Sequence, residues 1–330
     1  MNLKMRIGVN PEKIKGEKNV LKEHRVIIPV YIPTEKDEYY KEAGDVFKIA
    51  LESIFSTINY STTSVTVINN SSCERVKKII EQYLEKDLIE KSVQYTENHG
   101  KVYSVVSEAK ASYEPFITIA DADVKFYSGW EQAVVEIFLD HPKAGVVSPL
   151  PLQNLCFHKN SSVFFDNYLA GKIKYSKVVS NEDCDKFLKG MGNTSLLDRN
   201  NRQYSWREKQ YFLKGKKPVL IGAGHFVATY RREIFDLITE FPKMKFINGY
   251  EESFLDDKAD KKGWYRLSTV NTYAYHMGNR VENEDENTTP ATEERSENLF
   301  FRNVKNPKKS IYPHWLRDFF FRTLRKLKKL

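Results

Sequence analysis

Cysteine is nearly missing from this chain: Cys73, Cys156 and Cys184 are the only three in 330 residues. An odd number with no close pair argues against a disulfide framework and suits a reducing cytosol. None of the three has zinc-ligand spacing. Long apolar runs are missing too. No stretch approaches 18 consecutive apolar residues, so no transmembrane helix is expected. The first 25 residues are Lys-rich and lack the apolar centre of a secretory signal, which points to a cytoplasmic protein. Acidic residues are scarce at one end: from Arg302 to Leu330, Asp318 alone stands against ten Lys/Arg. The chain carries +8 overall, yet without that segment its charges nearly cancel. The basic character therefore belongs to an appendage. That excludes the spread-out positive surface of a general nucleic-acid-binding domain, and no nucleic-acid partner is expected.

What is present is globular. A content of 41% hydrophobic residues, 13% of the chain aromatic, can support a large core. Strand and helix signals alternate from Arg25 onward. Val26 to Val30 reads as an apolar strand, and Phe47, Ala50, Leu51 and Ile54 follow at helical spacing. Val65 to Ile68 is a second strand, followed by the polar turn Asn69-Asn70-Ser71-Ser72 and a helix face of Val76, Ile79, Ile80, Tyr83 and Leu84. Val93 and Tyr95, then Val102, Val105, Val106 and Ala109, repeat the pattern, as do Phe116 to Ala120 with the helix from Trp130, before a strand over Ala144 to Ser148. Repeated βα units of this kind predict an α/β fold with a doubly wound, mostly parallel sheet.

The pattern loosens between Pro149 and Lys217, which reads as an acceptor-side insertion or a long lid. Strands return at Val219-Leu220-Ile221 and Phe226-Val227-Ala228, a helix over Glu251 to Lys262 closes on Gly263, and Tyr265 to Tyr275 reads as one strand leading to His276. The expected organisation is an N-terminal extension (1–24), one domain (25–280, with the insertion at about 150–217), an acidic linker (281–300) and a basic amphipathic tail (301–330).

Asp121-Ala122-Asp123 follows directly on the run Phe116 to Ala120. In open α/β sheets ligands bind beyond the carboxyl ends of the strands, so two carboxylates arrive where such a sheet does its chemistry. Oxygen ligands of this type suit Mg²⁺ or Mn²⁺, and such a cation suits a phosphate. A second D-x-D, Asp183-Cys184-Asp185, has no strand before it and reads as solvated surface.

The order of pieces from Arg25 to Gly278 resembles a family 2 glycosyltransferase of the GT-A fold, a Rossmann-like doubly wound sheet. The resemblance rests on Ile27-Ile28-Pro29-Val30-Tyr31, Val67-Ile68-Asn69-Asn70-Ser71-Ser72, Asn98-His99-Gly100-Lys101, Asp121-Ala122-Asp123, Gly222-Ala223-Gly224-His225-Phe226 with Arg231-Arg232, and Gly249-Tyr250-Glu251-Glu252 followed by Gly263-Trp264. The family usually has Asp where Asn69 and Asn70 stand, which leaves the nucleobase open.

The resemblance implies inverting transfer of a sugar from a nucleotide-sugar, UDP-sugars first, to a glycan or lipid-linked glycan, as in surface polysaccharide synthesis. Breaking the bond to the diphosphate builds negative charge on the leaving group. Mn²⁺ or Mg²⁺ held by Asp121 and Asp123 would stabilise it, with His276 implied as a further metal or diphosphate contact, or else simply a packed or surface histidine. Pro29, Tyr31, Asn69, Asn70, Lys101 and Ala122 are the implied donor contacts, and Gly224 and His225 the acceptor side. The acceptor hydroxyl needs a base. Glu252 is favoured, Glu251 is the close alternative, and both are also the acids a helix N-terminus attracts.

In the tail, Leu316, Phe319, Phe320, Leu324, Leu327 and Leu330 share an arc of about 140° at helical spacing, with Arg322, Arg325, Lys326 and Lys329 opposite and Phe321 off the stripe. Such a helix either lies on an anionic membrane surface through residues 311–330, making the enzyme peripheral on the inner face, or docks on its own domain. Two rivals stand beside the glycosyltransferase. A nucleotidyltransferase would show a Gly-rich phosphate loop near the first strand, where Ile32-Pro33-Thr34-Glu35-Lys36 has no glycine. A non-catalytic glycan- or partner-binding protein would have lost the acidic motifs.

Overall fold

Val26, Ile27, Ile28 and Val30 are all buried, because β1 (His24–Val30) runs through the middle of a sheet covered on both faces. The computed structural model describes residues 8, 10, 21–197, 205–245, 250–281 and 300–327. Most of the expected N-terminal extension and acidic linker, together with Gly249, Lys329 and Leu330, lies outside the described residues.

Chain order continues with α1 (Ala43–Thr57), β2 (Thr63–Asn70), α2 (Glu74–Leu84), β3 (Lys91–Tyr95), α3 (Lys101–Ala111), β4 (Phe116–Ala120), β5 (Val124–Phe126), α4 (Trp130–Asp140) and β6 (Ala144–Ser148). The second half has α5 (Ser161–Asn167), β7 (Ile173–Ser176), α6 (Asn181–Gly190), β8 (Gln210–Leu213), β9 (Val219–Ile221), β10 (Val227–Arg231), α7 (Asp257–Lys261), β11 (Tyr265–Ser268), β12 (Ala274–His276) and α8 (His314–Lys326).

Ten strands form one sheet in the order β3-β2-β1-β4-β10-β6-β11-β9-β8-β7, while β12 pairs with β5 in a separate ribbon. Strands β1, β2, β3, β4, β6, β8 and β11 run one way, and β7, β9 and β10 the other. This is the α/β, mostly parallel sheet expected from the sequence. The helix faces read from spacing are the buried ones: Phe47, Ala50, Leu51 and Ile54 on α1, and Val102, Val105, Val106 and Ala109 on α3.

The structure revises or fills in four expectations. The single strand over Tyr265 to Tyr275 is two strands in two sheets. Between them Thr269 N–H bonds to Ser148 O (3.1 Å), Thr272 N–H to Asp183 Oδ1 (2.9 Å) and Tyr273 N–H to Pro149 O (2.8 Å), which turn the chain out of the main sheet. Asp183 is thus tied to that bend, and only Asp185, paired with Arg207 at 2.6 Å, behaves as surface. Residues 150–217 supply α5, α6, β7 and β8, and the two strands extend the sheet at its far edge. The helix over Glu251 to Lys262 begins with a π-helical turn (Glu252–Asp256) before α7; Gly263, at φ +90°, ends it as expected.

The apolar stripe expected on α8 is divided: Phe320 and Leu324 turn inward, whereas Phe319 and Leu327 are exposed. Phe321 and Leu324 are buried, Phe320 packs beside them, and Arg317 donates to the carbonyls of Asp260 (2.7 Å) and Lys261 (2.8 Å). Docking on the domain is what this face does. Among the described residues no helix is long and apolar enough to cross a membrane.

Candidate active site

Because β1 to β4 are parallel, their carboxyl ends share one rim of the sheet, and the residues that follow them meet there. Asp121 leaves the end of β4, and its N–H bonds to Phe226 O (2.8 Å) at the start of the antiparallel neighbour β10. The next strand, β5, pairs with β12 so that His276 lies opposite Val124. This brings His276 Nε2 to 3.4 Å from Asp123 Oδ2, while His276 Nδ1 sits 2.9 Å from Gly190 O. Lys101, the first residue of α3, reaches across the rim to Asp121 (2.5 Å) and Glu251 (3.5 Å).

The rim borders a cavity of about 250 Å³ lined by Pro29, Tyr31, Asn70, Lys101, Asp121, Ala122 and Asp123. All seven were singled out from sequence. Tyr39, Tyr40 and Asn279 also line it and were not, while Asn98 entered only within a motif of the family resemblance. Asn70 Oδ1 accepts the His99 N–H (2.9 Å) and its amide donates to Asn98 Oδ1 (2.7 Å). Asn69 lies elsewhere. It is buried, and its Oδ1 accepts the Ser72 N–H (2.8 Å), closing the turn after β2. A strand's alternation separates the two asparagines to opposite faces, and only one can reach the cavity.

Gly100 precedes Lys101 at φ +84°, and a Cβ there would lie 2.3 Å from Lys245 O. Gly100→Ala should therefore push α3 and Lys101 off the rim and cost upwards of about 1 kcal/mol. Thermal unfolding checks this, and an unchanged midpoint would count against the packing described.

Charges on the rim perturb one another. Burial pushes the Asp123 carboxyl up to about 6; His276 opposes the rise and Asp121 adds to it. Burial works against the Lys101 ammonium, but Asp121 and Glu251 more than offset it and raise its pKa.

A second group sits on the π turn. Asp256, fully buried, pairs with the equally buried Arg266 (2.8 Å) and lies 3.9 Å from both His158 and His225. Arg266 also donates to His158 O (2.6 Å) and Ala223 O (2.5 Å). Asp256 raises the His225 imidazole against its burial, whereas burial and Arg266 lower that of His158. His158 Nε2 stands 3.5 Å from Glu252 Oε2. So the two acids read from sequence face different neighbours: Glu251 turns to Lys101 and the D-x-D, Glu252 to His158. The Gly224 N–H bonds to Ser148 Oγ (3.1 Å), and the His225 carbonyl faces Lys101 (3.4 Å). Asp256, Arg266 and His158 were missed. The one available signal was an arginine inside the apolar strand around Tyr265 and Leu267.

Among the described residues no cluster of three or more His, Cys, Asp or Glu could hold a metal ion unaided. Asp123 Oδ1 is nevertheless buried with no hydrogen-bond partner. Mg²⁺ in particular takes one or two carboxylates plus substrate phosphates and water, and the rim fits that habit.

The sequence pattern described as "Glycosyl transferase family 2" matches residues 26–238. No curated protein matches. Among solved structures, S. aureus TarS 1-349 is 14% identical with a TM-score of 0.47, over 78% of this chain and 60% of that one. TarS 1-349 in complex with UDP-GlcNAc is 13% identical (TM-score 0.42; 79% and 62%). The mannosyltransferase PcManGT from Pyrobaculum calidifontis, in complex with GDP-Man and Mn²⁺, is 14% identical (TM-score 0.41; 78% and 61%). The chain spans about 60% of the length of these proteins.

Proposed function

The chain belongs to glycosyl transferase family 2, and from that premise we propose that it moves a sugar from a nucleotide-sugar, a UDP-sugar first, to a glycan or lipid-linked glycan with inversion at the anomeric carbon. The observation that carries the reading is the convergence of Asp121, Asp123, His276, Lys101 and Glu251 at one sheet rim, beside a cavity reached from Pro29, Tyr31 and Asn70.

In this reading the cavity takes the nucleotide, with Asn70 and Tyr31 toward the nucleoside and Lys101 toward the diphosphate. Asp121, Asp123 and His276 would hold Mn²⁺ or Mg²⁺, which when bound neutralises charge on the leaving diphosphate. Lys101 contributes a fixed positive charge to the same end. Glu252 takes the proton of the acceptor hydroxyl. It is the less occupied of the two acids, since Glu251 faces the Lys101 ammonium. Gly224 and His225 flank the acceptor's approach.

A screen of nucleotide-sugars for Mn²⁺-dependent hydrolysis tests the function. Activity with a UDP-sugar that disappears in Asp123→Ala is expected; no hydrolysis of any nucleotide-sugar would overturn it. A pH dependence accompanies it. Asp123 must lose its proton to ligate a cation, and its pKa is raised to about 6. Mn²⁺ affinity should therefore rise with pH, being roughly tenfold weaker at pH 5 than at pH 7. Isothermal titration at the two values decides it; equal affinities would remove Asp123 from the ligand set.

The membrane reading of the tail rests on the exposed part of the apolar stripe, Phe319, together with Trp315 on α8 and Ile311 just before it. Ile311, Trp315 and Phe319 are 87%, 70% and 65% exposed, with Arg322 and Lys326 exposed beside them. Aromatic and basic groups on one outward face suit an anionic lipid surface. Trp315→Ala combined with Phe319→Ala should weaken flotation with phosphatidylglycerol vesicles about tenfold or more. Unchanged flotation would rule this face out.

A further inference from the structure

Resting on the reading of Glu252 as base, we infer that the acceptor carries a phosphate ester, bound in the cavity between α5, α7 and α8. This cavity, about 460 Å³, is bounded by His158, which is itself 3.5 Å from Glu252. A group seated there lies one side chain away from the candidate base.

The lining is charged, and its carboxylates are already satisfied. Asp257 is bracketed by Lys159 (2.9 Å) and Lys261 (2.6 Å). Asp318 pairs with Arg322 at 2.8 Å. Asp260 accepts from the backbone and hydroxyl groups of Ser161 and Ser162. Arg325 is different. Among the described residues it has no carboxylate partner, and its guanidinium rests 4.9 Å over the Phe157 ring. Stacking of that kind holds the planar fork in place while leaving its N–H groups free. His314, from the opposite end of α8, lines the same cavity and has a buried Nδ1 with no partner. Two shared lysines, a free arginine and an unsatisfied imidazole come from three separate elements. Donors spread in this way suit a tetrahedral oxyanion with several accepting oxygens better than a planar carboxylate.

The ester could belong to a lipid headgroup or to a soluble or polymeric acceptor, and the test separates them. Glycerol 3-phosphate is titrated into the full-length protein, without donor or metal, by calorimetry. Arg325→Gln should weaken its affinity about tenfold, with Arg325→Lys recovering part of the loss and His314→Ala weakening it as well. Arg325 is exposed, so its variants are expected to fold, which thermal unfolding verifies. Vesicles of phosphatidylcholine and phosphatidylglycerol form the second arm. If vesicle binding also falls in Arg325→Gln, the ester is a headgroup; if only glycerol 3-phosphate binding falls, the acceptor is soluble or polymeric. No glycerol 3-phosphate binding, or binding unaffected by Arg325→Gln and His314→Ala, overturns the inference. Neither result touches nucleotide-sugar turnover, so the glycosyl-transfer reading stands or falls separately.

Discussion

Glu252→Gln is expected to lower kcat by about 10²–10⁴-fold while leaving nucleotide binding unchanged, the usual cost of losing a positioned general base. The amide keeps the size and hydrogen-bonding reach of the side chain but cannot take a proton. Glu252 sits on the turn that ends beside His158, half in solvent, where an incoming hydroxyl can approach. Glu251 occupies a different position, 3.5 Å from the Lys101 ammonium. Its loss should act on the donor side instead, through the placement of Lys101 and Asp121, and so appear first in nucleotide affinity. Steady-state kinetics and UDP binding on the two variants separate these roles. Full turnover in Glu252→Gln together with collapse in Glu251→Gln would transfer the base to the neighbouring residue.

The second large effect is structural. Arg266→Met should destabilise the fold by about 3–5 kcal/mol, because it strands the Asp256 carboxylate in the interior without its counter-ion. For a chain of this length that corresponds to a fall in Tm of about 4–7 °C. Arg266 also donates to the carbonyls of His158 and Ala223, so the lost hydrogen bonds act in the same direction. Adding Asp256→Asn removes the stranded charge and should recover part of the loss. A single Arg266→Met variant within about 1 kcal/mol of the parent would mean that the pair is far less desolvated than the geometry indicates.

Legibility in the sequence followed the physics of burial. The strands β1, β2, β4 and β6 and the helices between them were readable because each repeats an apolar face against one core, and periodicity reports that directly. The rim position of Asp121 and Asp123 followed from strand direction alone. What could not be read depends on contacts distant in the chain. The pairing of Lys101 with Asp121, of His276 with Asp123, and of Asp256 with Arg266 exists only once α3, β12 and β11 have come to lie beside β4, β5 and the π turn. Strands β7 and β8 were hidden because β7 is largely exposed at the edge and mixes Lys with Tyr. Alternation over Tyr265 to Tyr275 is the same whether one strand continues or two sheets share the segment. For the tail, an apolar helical stripe satisfies lipid and protein interior equally, so its partner could not be told from spacing.

Gly263 ties two of these regions together. At φ +90° its backbone lies against Ser310, whose N–H bonds to Gly263 O at 2.9 Å, and Arg317 grips the last carbonyls of α7 a few residues away. The carboxyl-terminal segment is therefore a brace for α7, the short helix that continues the π-helical turn carrying Glu252. Cutting the chain near Asn306 would remove the proposed lipid contact and slacken the turn that carries Glu252 in one stroke. A shortened enzyme that loses activity in free solution, with no vesicle present, would be reporting the missing brace.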